Sequence, residues 1–151
     1  MITLKNNQQE IILTIEGYAY PFSRDDWDSN WLSVKIEIKD FINNIQFENN
    51  DNCLLTMELE DLKNWFVLIL AKPNSEILIK FMEPNLKFYY SEKKIKIQLQ
   101  YDFNPNYDNS TIQDLDNAYI LEFNLEKEKT EALIKKLENS IIEYPKRNNP
   151  R

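Results

Sequence analysis

Asp25, Asp26 and Asp28 bracket Trp27 in the segment Asp25-Asp26-Trp27-Asp28-Ser29-Asn30-Trp31-Leu32, which places three carboxylates and two tryptophans directly ahead of an alternating strand pattern. Three chemistries are open to such a group. Carboxylate oxygens bind hard cations, but an EF-hand-type calcium loop also needs a glycine at its sharp turn and a late glutamate, and neither follows here. No metal is expected. Two carboxylates held about 5 to 9 Å apart could hydrolyse a glycoside while an indole stacks on the sugar. With 25 acidic residues in the chain, pairs at that separation arise by chance, so no catalytic residue is assigned. The third chemistry is recognition of a protein, because a tryptophan amid polar groups is a common interface anchor. The expected partner-binding residues are Asp25, Asp26, Trp27 and Asp28, joined by Asp108, Asp114 and Asp116 if a second acidic loop meets the first. Solvated loop carboxylates, and Trp27 packing on its own loop, are the plain alternatives.

The residue types that are missing narrow the function further. The chain has no histidine, which removes serine–histidine and cysteine–histidine catalysis and the commonest metal ligand. Its one glycine, Gly17, lies inside a strand pattern, so no glycine-rich loop can wrap a phosphate. No cofactor is expected, and the protein reads as a non-enzyme. A net charge of −7 repels polyanions, and the lysines and arginines are scattered along the sequence, which argues against direct nucleic-acid binding. A basic protein partner would instead be attracted. The single cysteine, Cys53, allows no internal disulfide and suits a small buried apolar position in a reducing compartment. No apolar run approaches the roughly 20 residues that cross a bilayer, and the N-terminus lacks a basic stretch leading into an apolar one. These features lead us to expect a cytoplasmic protein without membrane contact.

The elements that must position the acidic segment follow from hydrophobic period. Alternation predicts strands over residues 11–18, 31–41, 42–47, 77–82, 86–90, 95–103 and 119–126. The clearest are Leu32, Val34, Ile36 and Ile38 against Ser33, Lys35, Glu37 and Lys39, and Ile95, Ile97, Leu99 and Tyr101 against Lys96, Gln98, Gln100 and Asp102. Asn43-Asn44 and Glu83-Pro84-Asn85 read as hairpin turns. Leu55, Leu59, Leu62, Phe66 and Ile69 form a helical stripe over 55–71, with Thr56 as its cap and Lys72-Pro73 as its stop. Ile134, Leu137 and Ile141 mark a second helix over 127–143, ended by Pro145. Residues 1–10, 104–116 and 146–151 should be least ordered. The expectation is a single α+β domain: a large, mostly antiparallel sheet of about six or seven strands with two helices packed on it. At 151 residues, one core suffices.

The pieces Tyr18-Ala19-Tyr20-Pro21, Asp28-Ser29-Asn30-Trp31-Leu32, Cys53-Leu54-Leu55-Thr56-Met57-Glu58-Leu59, Glu83-Pro84-Asn85-Leu86 and Tyr144-Pro145-Lys146-Arg147 follow one another in an order and spacing that resembles the WapI family of bacterial immunity proteins. Each piece is short, and specificity lies in their order. Two positions depart from the pattern: Asn50-Asp51-Asn52, where a proline-containing approach to the first helix is expected, and Phe47, where tryptophan is expected. The resemblance implies a cytoplasmic protein that neutralises the toxic C-terminal domain of a cognate polymorphic or contact-dependent toxin, such as a nuclease, by occlusion. A carboxylate-based glycoside hydrolase and a structural or assembly subunit are the competing functions.

Overall fold

The computed structural model describes residues 1–107 and 117–148. Among them, eight strands fall into two four-stranded antiparallel sheets rather than one large sheet. β1 (Ile2–Lys5), β2 (Gln9–Tyr18), β3 (Trp31–Asp40) and β4 (Ile45–Leu55) pair in sequence order to make the first. After α1 (Thr56–Ala71), β5 (Ile77–Lys80), β6 (Leu86–Ser91), β7 (Lys94–Leu99) and β8 (Tyr119–Asn124) repeat that meander as the second, and α2 (Lys127–Glu143) closes the chain. The protein is thus two successive four-strand meanders, each followed by a helix, a topological repetition with no counterpart in the residue sequence.

Alternation explains the strands. β3 buries Leu32, Val34, Ile36 and Ile38 while the residues between them face outward; successive side chains of a strand point to opposite faces, so one face enters the core. β6 and β7 do likewise with Leu86, Phe88 and Tyr90, and with Ile95, Ile97 and Leu99. Residues from both sheets and both helices form one contiguous apolar cluster. The α1 stripe enters it as expected: Leu59, Leu62, Phe66 and Ile69 are buried, and Trp65 sets its ring 6.1 Å from that of Phe88. α2 contributes Leu133 and Leu137 fully, with Ile134 and Ile141 at the margin. Cys53 is buried, as its residue type suggested, and burial pushes its thiol well above the usual range.

Several boundaries differ from the sequence-based expectation. Residues 1–10, read as loosely ordered, contain β1, whose Ile2 and Leu4 are core residues opposite Leu13 and Ile11. β4 runs far beyond residue 47, carrying Glu48-Asn49-Asn50-Asp51-Asn52 through a ladder with β3. Phe41 and Ile42 belong to the turn before it rather than to strands, with Asn44 at φ 53° as asparagine permits. β7 stops at Leu99 because Tyr101 takes φ 54° and opens a 3-10 turn, Tyr101–Phe103. Gly17, at φ 146°, sits on a bulge in the β2–β3 pairing, a conformation that side chains with a Cβ rarely adopt.

Thr56 is not the cap of α1. Leu55 holds that place, its N–H donates to the Glu58 carboxylate at 2.9 Å, and the Thr56 hydroxyl turns instead to Asn30. Glu58 also accepts from the Met82 N–H at 2.8 Å, joining the helix start to the connection between β5 and β6. Burial pushes the Glu58 carboxyl upward, opposed by those two backbone hydrogen bonds.

The two sheets are joined by polar clamps as well as by the core. Asp40, at the end of β3, accepts from the backbone N–H groups of Ile42 and Asn43, from the Asn43 amide and from the hydroxyl of Tyr119, the first residue of β8. Burial alone would raise the Asp40 carboxyl, but its hydrogen bonds outweigh burial and hold it down at about 2. Burial and the adjacent carboxylate push Tyr119 up to about 12. Asn49 donates to the Asp102 carbonyl at 2.9 Å and Asn85 to Asp51 at 2.8 Å, so the polar run of β4 is held from the other half of the molecule.

Candidate functional site

The segment between β2 and β3 is built from its own hydrogen bonds outward. The Asp25 carboxylate accepts from the N–H groups of Trp27 at 2.8 Å and Asp28 at 2.9 Å, closing a turn that the backbone extends with Ser29 N–H to Asp25 and Asn30 N–H to Trp27. A 3-10 turn, Asp28–Asn30, then feeds β3. Asp25 therefore shapes the loop.

Asn30 is the residue on which the segment hangs. It is fully buried and its amide uses every valency it has. The nitrogen donates to the Asp26 carbonyl at 2.5 Å and to the Arg147 carbonyl at 2.9 Å, while the oxygen accepts from Arg147 N–H at 2.7 Å and the Thr56 hydroxyl at 2.9 Å. The loop, the start of α1 and the C-terminal segment meet there. Around it, Tyr18 donates to the Pro145 carbonyl at 2.7 Å and meets the Tyr144 ring edge-on at 5.7 Å. The Arg147 guanidinium lies 4.4 Å from the Tyr18 ring centre and reaches the Tyr20 carbonyl at 3.3 Å. Residues 146–148, expected to be loose, are instead the strap that holds the loop.

What this clasp presents is aromatic and acidic. Trp27 is 47% exposed, its ring meeting Trp31 edge-on at 6.1 Å. Phe22 is 94% exposed and Tyr20 46% exposed on the same loop. Asp25, Asp26 and Asp28 are exposed beside them, whereas Asp108, Asp114 and Asp116 lie outside the described residues. A fully exposed phenylalanine costs apolar hydration that an interface would recover. Sequence reasoning named Trp27 and passed over Phe22 and Tyr20, since an aromatic in a loop shows no period to say which way it faces. Asn30 was passed over for a different reason: its partners are 26 and 117 residues away.

No metal-binding cluster of carboxylates and cysteine occurs among the described residues. No described helix is long and apolar enough to cross a membrane. A surface depression of about 550 Å³, bounded in part by Ile69, Tyr90 and Leu125, is predominantly apolar and includes no residue of the acidic loop.

A family model for WapI-like immunity proteins matches residues 1–145 of the 151. The chain belongs to that family. No curated protein and no solved structure matches it. Within this WapI-like protein, four of the five short pieces that carry the resemblance are linked in one cluster: Asn30, of the Asp28 to Leu32 piece, bonds Thr56 and Arg147 directly, and Tyr18 and Tyr20 bond Pro145 and Arg147 of the C-terminal piece. The fifth, from Glu83 to Leu86, begins just after the Met82 N–H that Glu58 captures. Those residues build the frame, and the exposed side chains of Phe22, Asp26 and Trp27 are what the frame displays.

Proposed function

We propose that this WapI-like protein neutralises the toxic C-terminal domain of a cognate toxin by covering a surface the toxin needs, with the loop over residues 20–28 at the contact. Family membership supports an immunity function. The observation that carries the finer reading is the pairing of a fixed base with exposed aromatics: Asn30 and Arg147 immobilise the loop while Phe22 and Trp27 face outward. Interfaces draw most of their energy from a few such rings, and pre-ordering them removes part of the entropy cost of binding. Asp26 and Asp28 would steer a basic partner, as expected for a toxin whose own substrate is polyanionic, such as a nuclease. Neutralisation of this kind needs affinity and no turnover, and the cytoplasm is where it would act.

Co-expression tests this reading. The toxin domain encoded directly upstream should stop growth alone and be tolerated with this protein, and the two should co-purify. Toxicity that persists, with no complex, would reject it. Reversing Asp26 and Asp28 to lysine should slow association several-fold at low salt and little at high salt, because the steering field is screened within about 8 Å at physiological ionic strength.

A further inference from the structure

Four lysines that are separated in sequence, Lys80, Lys87, Lys94 and Lys96, are brought onto one face by the register of the second sheet. On its outer face, Lys80 stands directly opposite Lys87, and one row over Leu78, Tyr89, Lys96 and Glu122 follow in line. Lys94 and Lys96 share the single carboxylate of Glu122, at 3.5 and 3.8 Å. Lys80 and Lys87 have no ion-pair partner among the described residues, although like charges directly opposite on a sheet repel. Between them lies a depression of about 380 Å³ bounded also by Leu78, Ile120 and Tyr89, with Leu78 45% and Ile120 52% exposed. A cationic, apolar-floored hollow on a chain of net charge −7 is a local reversal of the molecule's character.

We infer that the outer face of β5–β8 is a docking surface for an acidic segment of a partner protein, one that carries an apolar side chain flanked by carboxylates. The carboxylates neutralise Lys80 and Lys87, relieving the repulsion built into the sheet, while the apolar side chain covers Leu78, Tyr89 and Ile120. A nucleic acid fits less well. Of the lysines on this face, two are unshared among the described residues, so few counterions would be released, and a polyanion extending past the hollow would meet a molecule of net charge −7. The inference stands apart from toxin neutralisation, and its test contains no toxin.

The probe is a short fluorescein-labelled peptide of alternating glutamate and leucine, titrated against the full chain by anisotropy beside a glutamine-for-glutamate peptide and labelled oligouridylate. The glutamate peptide should bind, weaken with salt, and lose about tenfold in affinity to the double variant Lys80→Glu/Lys87→Glu, as expected when two exposed charge pairs become repulsive. Lys87→Glu alone should raise the thermal midpoint, confirming that the variant folds and that the lysine pair is unrelieved in the free protein. Absence of peptide binding, equal binding of the glutamine peptide, indifference to the double reversal, or binding of oligouridylate in the peptide's place would overturn the inference.

Discussion

The outer faces of the two sheets carry the same local fault and treat it differently. On the first, Glu37 stands opposite Glu48, but Lys35 reaches both, at 2.9 and 3.3 Å. The neighbouring row alternates in sign, Lys5 opposite Glu10 and Glu10 opposite Lys39. On the second, Lys80 opposes Lys87 with nothing between them among the described residues. On the first sheet the like-charged pair is bridged by Lys35; on the second, Lys94 and Lys96 have Glu122 while the like-charged pair Lys80 and Lys87 has no carboxylate among the described residues. The same division holds for the polar groups beside the first sheet, where Asn30 and Asp40 have internal partners for their side-chain atoms. A four-strand meander can thus serve as a frame or as a face, depending on whether its cross-strand charges cancel.

The largest effect should come from breaking the frame. Asn30→Ala strands the Asp26 and Arg147 carbonyls, the Arg147 N–H and the Thr56 hydroxyl, and should cost about 3 kcal/mol in denaturant unfolding. A loss below about 1 kcal/mol would show that the loop is held by other means.

The clamp between the sheets should appear in the acid limb of the stability profile. Because the Asp40 carboxyl is held at about 2 in the folded protein, below its ordinary value, its contribution is present above about pH 4 and lost as pH falls toward 2. Asp40→Asn should flatten that limb by about 2 kcal/mol between those limits. Tyr119, pushed up to about 12, has the opposite sign: its contribution is lost as pH rises from about 10 through 12, and Tyr119→Phe should remove that alkaline component. An acid limb identical in the wild type and Asp40→Asn would remove Asp40 from the frame.

The smallest effects bear most directly on the contrast between the faces, because they should differ in sign. Lys87→Glu turns a repulsive pair into an attractive one and should stabilise by roughly 0.5 kcal/mol. Lys35→Gln removes the bridge over Glu37 and Glu48 and should lower the thermal midpoint slightly. Equal signs for the two would erase the distinction.

Much of this frame was legible in the sequence, and what was not has specific causes. β3, β6 and β7 announce themselves because one face is buried and the other wet, and α1 because its stripe is long. β4 hides because Glu48-Asn49-Asn50-Asp51-Asn52 has poor strand propensity; the ladder with β3, the bond donated by Asn49 to the Asp102 carbonyl and the bond Asp51 accepts from Asn85 hold it extended. β1 hides because a strand of four residues, Ile2–Lys5, offers too few alternations to read. The end of β7 was misplaced because Tyr101 continues the pattern in type but leaves it in backbone conformation. At the site, Trp27 was legible as an aromatic among acids, whereas Asn30 and the lysine face depend on partners brought together only by the fold. The acidic loop's position next to β3 could be read; its dependence on Arg147 could not.

The most direct test of the central claim is the affinity of the Phe22→Ala variant for the cognate toxin domain by titration calorimetry. Phe22 is 94% exposed, so the substitution should leave the unfolding midpoint unchanged. Loss of an interface anchor should weaken binding about 30-fold or more. Wild-type affinity in this variant, and again in Trp27→Ala, would mean that the toxin is met by another surface.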